Sequence, residues 1–177
     1  VNEVTVHVQG EEPKEVTGKA IVVTTGGFGA SKEFIEKYRP DLADYITTNQ
    51  EGSTGDGITM IEKLGGQTVD MDKIQIHPTV QQDEGVLIGE VVRGEGAILV
   101  DQEGKRFVNE MDTRDKVSAA ITALPEKSAY LIFDQGVRDR AAAIEFYDQK
   151  GYVTTGKTME ELAEKIDLPK ETLAKTV

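Results

Sequence analysis

An α/β chain in two parts is what the sequence predicts, and three observations carry that reading. The continuous apolar run Ala20-Ile21-Val22-Val23 leads through a glycine turn into a helix opened by Ser31, which is the order of a buried strand, a turn and a helix. Capped helices alternate with short β-type runs through the rest of the chain. A length of 177 residues, 38% hydrophobic with 18 glycines, suits an α/β protein with one good core or two partial domains.

The elements follow in order. Residues 3–8 alternate, with Val4, Val6 and Val8 on one face and His7 on the solvent face. A turn at residues 10–14 returns the chain as a second strand over 15–24. Thr25-Gly26-Gly27-Phe28-Gly29 then joins strand to helix; its spacing ends on Lys32 and so misses the dinucleotide fingerprint. A helix over 31–38 is stopped by Pro40. The turn 52–57 opens a helix to Leu64, closed by Gly65-Gly66. Thr68–Met71 reads as a short strand, and residues 71–73 as the crossing between the two parts.

The second part opens on His77 and runs through apolar stretches at 86–88, 97–100 and 107–108, with a turn at 102–104. Gly89, Gly94, Gly96 and Gly104 are expected where backbone approaches closely or turns sharply. Residues 114–124 form a helix capped by Asp112 or Thr113 and ended by Pro125. A buried strand spans 128–134. A helix spans 135–149, with Val137, Ala141, Ile144 and Phe146 available to pack. Thr158 and Glu161 make a capping box for 159–166, and Pro169 stands at the first position of a last helix. The start at Val1, already in a strand, and the end at Val177, inside a helical pattern, are those expected of a piece of a longer chain.

Composition excludes several function classes. Without cysteine there is no disulfide, thiolate metal site or cysteine nucleophile, and two histidines seventy residues apart do not make a metal centre. A net charge of −12 argues against nucleic acid or anionic membrane as partner. No apolar run approaches the ~18 residues of a membrane helix. An acidic chain that binds an anionic ligand must do so through local arginines, which directs attention to Arg93 and Arg114. On residues alone, Glu90, Arg93 and Arg114 read either as a structural ion-pair network or as a site. Arg106 and Glu103 read as a solvated pair about a turn.

The motifs HPTV (77–80), GEVVRGEGAILV (89–100), EGKRFVNE (103–110) and TRDK (113–116) stand in one order and spacing. With VVTTGGFG (22–29), KYRPDL (37–42), TGDGITM (54–60) and SAYLIFD (128–134), they resemble the flavoprotein subunit of fumarate reductases over about residues 1–135. The likeness is nearest to the soluble flavocytochrome-type and related unsaturated-acid reductases. It implies that residues 1–70 are a slice of an FAD-binding domain and 71–177 a truncated capping domain.

The resemblance also implies roles. Arg114 is the proton donor to an unsaturated acid, reprotonated through Glu90 and Arg93, and His77 holds a substrate carboxylate, with Glu90 and Gly89 bordering the substrate. Thr25, Gly26, Gly27, Thr54, Gly55 and Asp56 lie on the FAD side. The pyrophosphate fingerprint is not in this chain, so the chain alone is not expected to retain FAD. Substrate and an electron donor of unknown identity are the implied partners. Position 89 departs from the family, whose residue there is typically a threonine that helps hold a substrate carboxylate. Either another donor, such as a backbone N–H uncovered by glycine, replaces that hydroxyl, or the gap admits a different acid of the urocanate, acrylate or cinnamate type. A related FAD dehydrogenase acting in the opposite direction, such as a ketosteroid dehydrogenase, and a non-catalytic capping module are the other readings.

Overall fold

The computed structural model describes residues 3–177, and the chain divides into two compact units, 1–72 and 73–177. In the first unit, β1 (Glu3–Val6) and β2 (Lys14–Thr17) pair antiparallel with Val4 opposite Val16, which is the expected hairpin. Helix α1 (Lys32–Tyr38) begins where the Ser31 hydroxyl accepts from the Phe34 N–H at 3.3 Å. Pro40 ends it and starts a 3₁₀ turn, Pro40–Leu42. Helix α2 (Asp56–Lys63) opens at Gly55, whose φ of +82° only glycine adopts freely.

Of the predicted strands of this unit, one is cut short and one is absent. The second arm stops at Thr17, and Ala20–Val23 pairs with nothing among the described residues; Val22 is 82% exposed. A strand exists only through neighbours that take its N–H and C=O groups, so an apolar run without them stays irregular. Thr68–Met71 fails for the same reason, and Asp70 at φ 55° breaks the extended path.

The second unit carries the core. Strands β3 (Val80–Gln81) and β4 (Val86–Leu87) form a small hairpin, followed by α3 (Glu90–Gly94). Strand β5 (Ile98–Val100) pairs antiparallel with β6 (Tyr130–Ile132), Leu99 opposite Leu131. Alternation along these strands sends side chains to two faces. Val100 and Ile132 pack with Ala163, Leu168 and Leu173, from α7 (Met159–Lys165), α8 (Lys170–Thr176) and the turn between them. Leu99 packs on Val117 and Ile121 of α4 (Arg114–Thr122). A third cluster joins Val92 of α3 and Ala97 to Val137 and Ile144, from α5 (Gln135–Arg140) and α6 (Ala143–Gln149), with Ala141 between these helices. Each large side chain so buried contributes about 1.5–3 kcal/mol.

Several local expectations change here. The helix expected over 135–149 is two helices, broken at Ala141 (φ −104°, ψ 79°), whose methyl is fully buried. That break turns Phe146 half outward and buries Tyr147 instead. Residues 107–108 make no strand, only a bridge from Arg106 to Val100. Thr158 caps α7 as predicted, but the Glu161 carboxylate reaches Lys157 N–H rather than that of Thr158. Pro169 is the N-cap of α8, not its first residue.

Candidate functional site

Glu90 is the first residue of α3 and Arg93 follows one turn later, a spacing that puts both on one face of the helix. Val92, on the other side, is buried in the third cluster and anchors the turn. Arg114 is the first residue of α4, which Val117 and Ile121 fix to the core and whose Ser118 hydroxyl donates to Ile76 O at 3.1 Å. The two helix starts bring the charges together. Arg114 Nε donates to Glu90 Oε1 at 2.5 Å and Nη2 to Oε2 at 2.7 Å, a two-pronged pair, while Nη1 bonds the Gln75 side-chain oxygen.

Arg93 approaches the same carboxylate from below. Its guanidinium is 4% exposed; Nη1 donates to Glu110 O at 2.7 Å and Nη2 lies 3.5 Å from Glu90 Oε1. Its Nε and Nη2 have no hydrogen-bond partner, so a buried cation keeps two donors unspent beside Glu90. The Arg114 hydrogen bonds, reinforced by the charges of Arg114 and Arg93, hold the Glu90 carboxyl down at about 2. Glu90 in turn raises Arg114, whereas burial lowers Arg93.

His77 stands on the segment before β3. Its Nδ1 is 3.1 Å from Thr79 O and 3.3 Å from Thr79 N, and the Thr79 hydroxyl donates to Ile88 O at 2.7 Å, tying this segment to the one that leads into Glu90. Partial burial lowers the His77 pKa, and the charges of Arg114 and Arg93 add to that. Glu90, Arg93 and Arg114 are thus in direct contact, and His77 is close enough to feel their charge. Gly89 immediately precedes Glu90 at φ −59° and ψ 150°, which any residue can adopt, and a Cβ there would meet nothing nearer than Tyr147 Oη at 3.6 Å. Neither Gly89 nor Gly94 is demanded by the backbone, contrary to expectation; Gly96 (φ +115°) and Gly104 (φ +74°) are. Gly89 N–H is not uncovered either, since it donates to Tyr147 Oη at 3.0 Å.

Three participants are not singled out by sequence reasoning: Gln75, Tyr147 and Glu110. The Glu110 carboxylate is buried and accepts from Leu99 N–H at 2.8 Å and from Arg106 Nε and Nη2 at 2.9 and 2.5 Å. Burial pushes its pKa up, but these bonds outweigh burial and leave it lowered. Arg106 therefore serves Glu110 rather than Glu103, whose partner is Lys105. The spacing of Arg106 and Glu110, either side of Phe107 and Val108, was the available signal.

In the first unit, the six residues implied for FAD come together as two joined turns. Gly55 N–H donates to Gly27 O at 3.1 Å and Ala30 N–H to Ser53 O at 2.9 Å. The Thr54 hydroxyl donates to Asp56 Oδ1 at 2.8 Å. A Cβ at Gly26 or Gly27 would have no atom within 4 Å, so this backbone lies open. Among the described residues no cluster of three or more ligating side chains could hold a metal ion, and no helix is long and apolar enough to cross a membrane.

The FAD binding domain family matches residues 1–177. An NADH:fumarate oxidoreductase of Klebsiella pneumoniae is 55% identical over 158 residues, 89% of this chain and 17% of that protein. A cytochrome-type fumarate reductase of Shewanella frigidimarina is 46% identical over 162 residues, 92% of this chain and 28% of that one. A urocanate reductase of Eggerthella lenta is 34% identical over 176 residues, 94% and 29% respectively. The open conformation of a flavocytochrome c3 fumarate reductase superposes with a TM-score of 0.72 at 39% identity, covering 100% of this chain and 31% of that chain. The chain therefore spans less than a third of the length of these relatives.

Proposed function

This chain belongs to the FAD-binding family of fumarate reductase flavoproteins, and from that premise we propose that it acts within an FAD-dependent reductase of an unsaturated carboxylic acid, fumarate first among them. Residues 1–70 serve as part of the FAD-binding domain and 71–177 as the capping domain. Thr25, Gly26, Gly27, Thr54, Gly55 and Asp56 would hold FAD, which when bound in reduced form supplies a hydride, something no side chain can do.

The observation that carries the reading is Glu90, gripped by Arg114 on one side and faced by the orphan donors of Arg93 on the other. His77 donates to a substrate carboxylate and stabilises the negative charge that develops as one alkene carbon accepts hydride. Arg114 delivers a proton to the other carbon, so that one hydride and one proton saturate the bond. An arginine gives up a proton only to a centre far more basic than water, such as a nascent carbanion. A proton taken from solvent past Arg93 to Glu90, already on Nε and Nη2, recharges Arg114, and the two arginines leave Glu90 ionised again between turnovers. Glu90 also raises the Arg114 pKa, so the arginine yields its proton only as the basic carbon centre forms.

The test is reduction of fumarate by the flavin-loaded enzyme with dithionite-reduced methyl viologen as electron source, with urocanate, acrylate and cinnamate in parallel. Failure with all four acids sinks the proposal. Gly89 favours a second reading, in which another of these acids is the better substrate, because it lacks the side chain with which the family places a hydroxyl, while an added Cβ would meet Tyr147 Oη and Val91 only at ordinary contact distance. Gly89→Thr is sterically admissible and sharpens the choice. One hydrogen bond to a carboxylate is worth roughly 1.5–3 kcal/mol, so kcat/KM for fumarate relative to urocanate should rise about ten- to a hundredfold. An unchanged ratio would show that position 89 does not select the acid.

A further inference from the structure

We propose that Tyr147 is a positioning residue for the site, its hydroxyl clamping the corner from which Glu90 and Arg93 project. The inference rests on the reductase reading above. Tyr147 belongs to α6, fifty-seven residues beyond Glu90, and is 8% exposed in the cluster that also buries Val92. Its hydroxyl accepts from Gly89 N–H at 3.0 Å and lies 3.3 Å from Leu87 O, to which it donates. One oxygen thereby bridges the end of β4 and the N-cap of α3.

The corner needs such a clamp for three reasons. Gly89 is the N-cap of α3, and no side-chain hydrogen bond caps the helix there. A glycine at a position of ordinary φ brings backbone freedom that the fold does not use. Helix α3 is a single turn of five residues and gains little from its own hydrogen bonds. Its orientation depends on what holds it: Val92 in the cluster, Arg93 on Glu110 O, the Thr79–Ile88 bonds just before the corner, and the Tyr147 hydroxyl at Gly89 itself. Because Glu90 is the very next residue, a loosened corner swings its carboxylate away from Arg114 before it disturbs any other described part of the site.

Tyr147→Phe removes the oxygen and leaves the ring in place. In the chain itself, the Gly89 amide should exchange at least ~10-fold faster by NMR-detected hydrogen exchange, with Leu99 and Val117 amides unchanged. In the flavin-loaded enzyme, kcat for fumarate should fall about tenfold with KM within twofold, since Glu90 acts in proton return rather than in holding the acid. Adding Gly89→Ala to Tyr147→Phe should restore part of kcat by restricting the corner backbone, which a packing defect in the cluster would not allow. Unchanged exchange at Gly89, kcat within twofold of the parent, or equal losses in kcat and KM without rescue would each overturn the proposal. Should the unsubstituted enzyme reduce no unsaturated acid, the proposed activity fails, and exchange at Gly89 alone decides whether Tyr147 clamps the corner.

Discussion

Glu90 and Glu110 each carry a two-pronged arginine, as Glu145 does with Arg138, yet the first two differ in almost everything else. Glu90 is 46% exposed, pairs with the accessible Arg114, and has the buried Arg93 behind it. Glu110 is 3% exposed, pairs with the half-exposed Arg106, and also accepts the Leu99 N–H of a core strand. Removing a charge from water is costly, so a buried carboxylate must have every lone pair engaged, and Glu110 does. Glu90 sits where water and a ligand can reach its partner. The contrast separates a pair that holds the chain together from one whose atoms remain available for exchange. Arg93 links them, bonded to the backbone of one glutamate and aimed at the carboxylate of the other.

Substitution of the two arginines breaks the comparison most sharply. Arg114→Ala should lower turnover of the flavin-loaded enzyme by at least ~10²-fold with flavin content unchanged, as loss of a positioned acid does. Arg106→Ala should leave turnover within a few-fold. Steady-state kinetics with flavin quantitation decides it, and comparable losses in both would make the two pairs equivalent. Next in size is Glu110→Ala. It leaves the Leu99 N–H buried without an acceptor, which costs about 1–3 kcal/mol and should lower Tm by roughly 2–12 °C in a calorimetric melt. In Glu90→Ala the exposed Arg114 pair contributes little, so any fall in Tm reports the buried Arg93 left without its counter-charge.

The smallest effect is spectroscopic. The Glu90 carboxyl carbon should titrate near 2 by NMR, and in Arg114→Ala it should move up toward its ordinary 4.5, short of it by what Arg93 still contributes. Because the folded value lies below 4.5, whatever stability the pair lends is present above about pH 4.5 and is lost as pH falls toward 2. A Glu90 titration indifferent to Arg114 would mean that Arg93, not Arg114, holds it down.

Glu90, Arg93, Arg114 and His77 were legible because their motifs resemble those of a family. Helices α1, α2, α4 and α7 were legible because Ser31, Gly65, Thr113, Pro125 and Thr158 mark their ends. Glu110 was not, since its spacing from Arg106 does not tell a buried pair from the many solvated ones of an acidic chain, and burial is a property of the assembled strands. Tyr147 was hidden for a related reason. Nothing at Ala141 announces a helix break, and without the break the periodicity points Phe146 inward in its place. The run Ala20–Val23 erred in the opposite direction. Its composition is that of a buried strand, but composition cannot supply the neighbours that make one.

The loop around His77 has a consequence for how an anion is met. Nδ1 faces both the N–H and the C=O of Thr79, at 3.3 and 3.1 Å, so the ring can sit still in either neutral tautomer. If Nδ1 carries the proton, it donates to the carbonyl and Nε2 is left a lone pair. If Nε2 carries it, Nδ1 accepts from the amide and Nε2 becomes a donor. Since burial keeps the imidazole uncharged at neutral pH, a carboxylate arriving at Nε2 selects the second form by moving one proton, with no rotation of the ring.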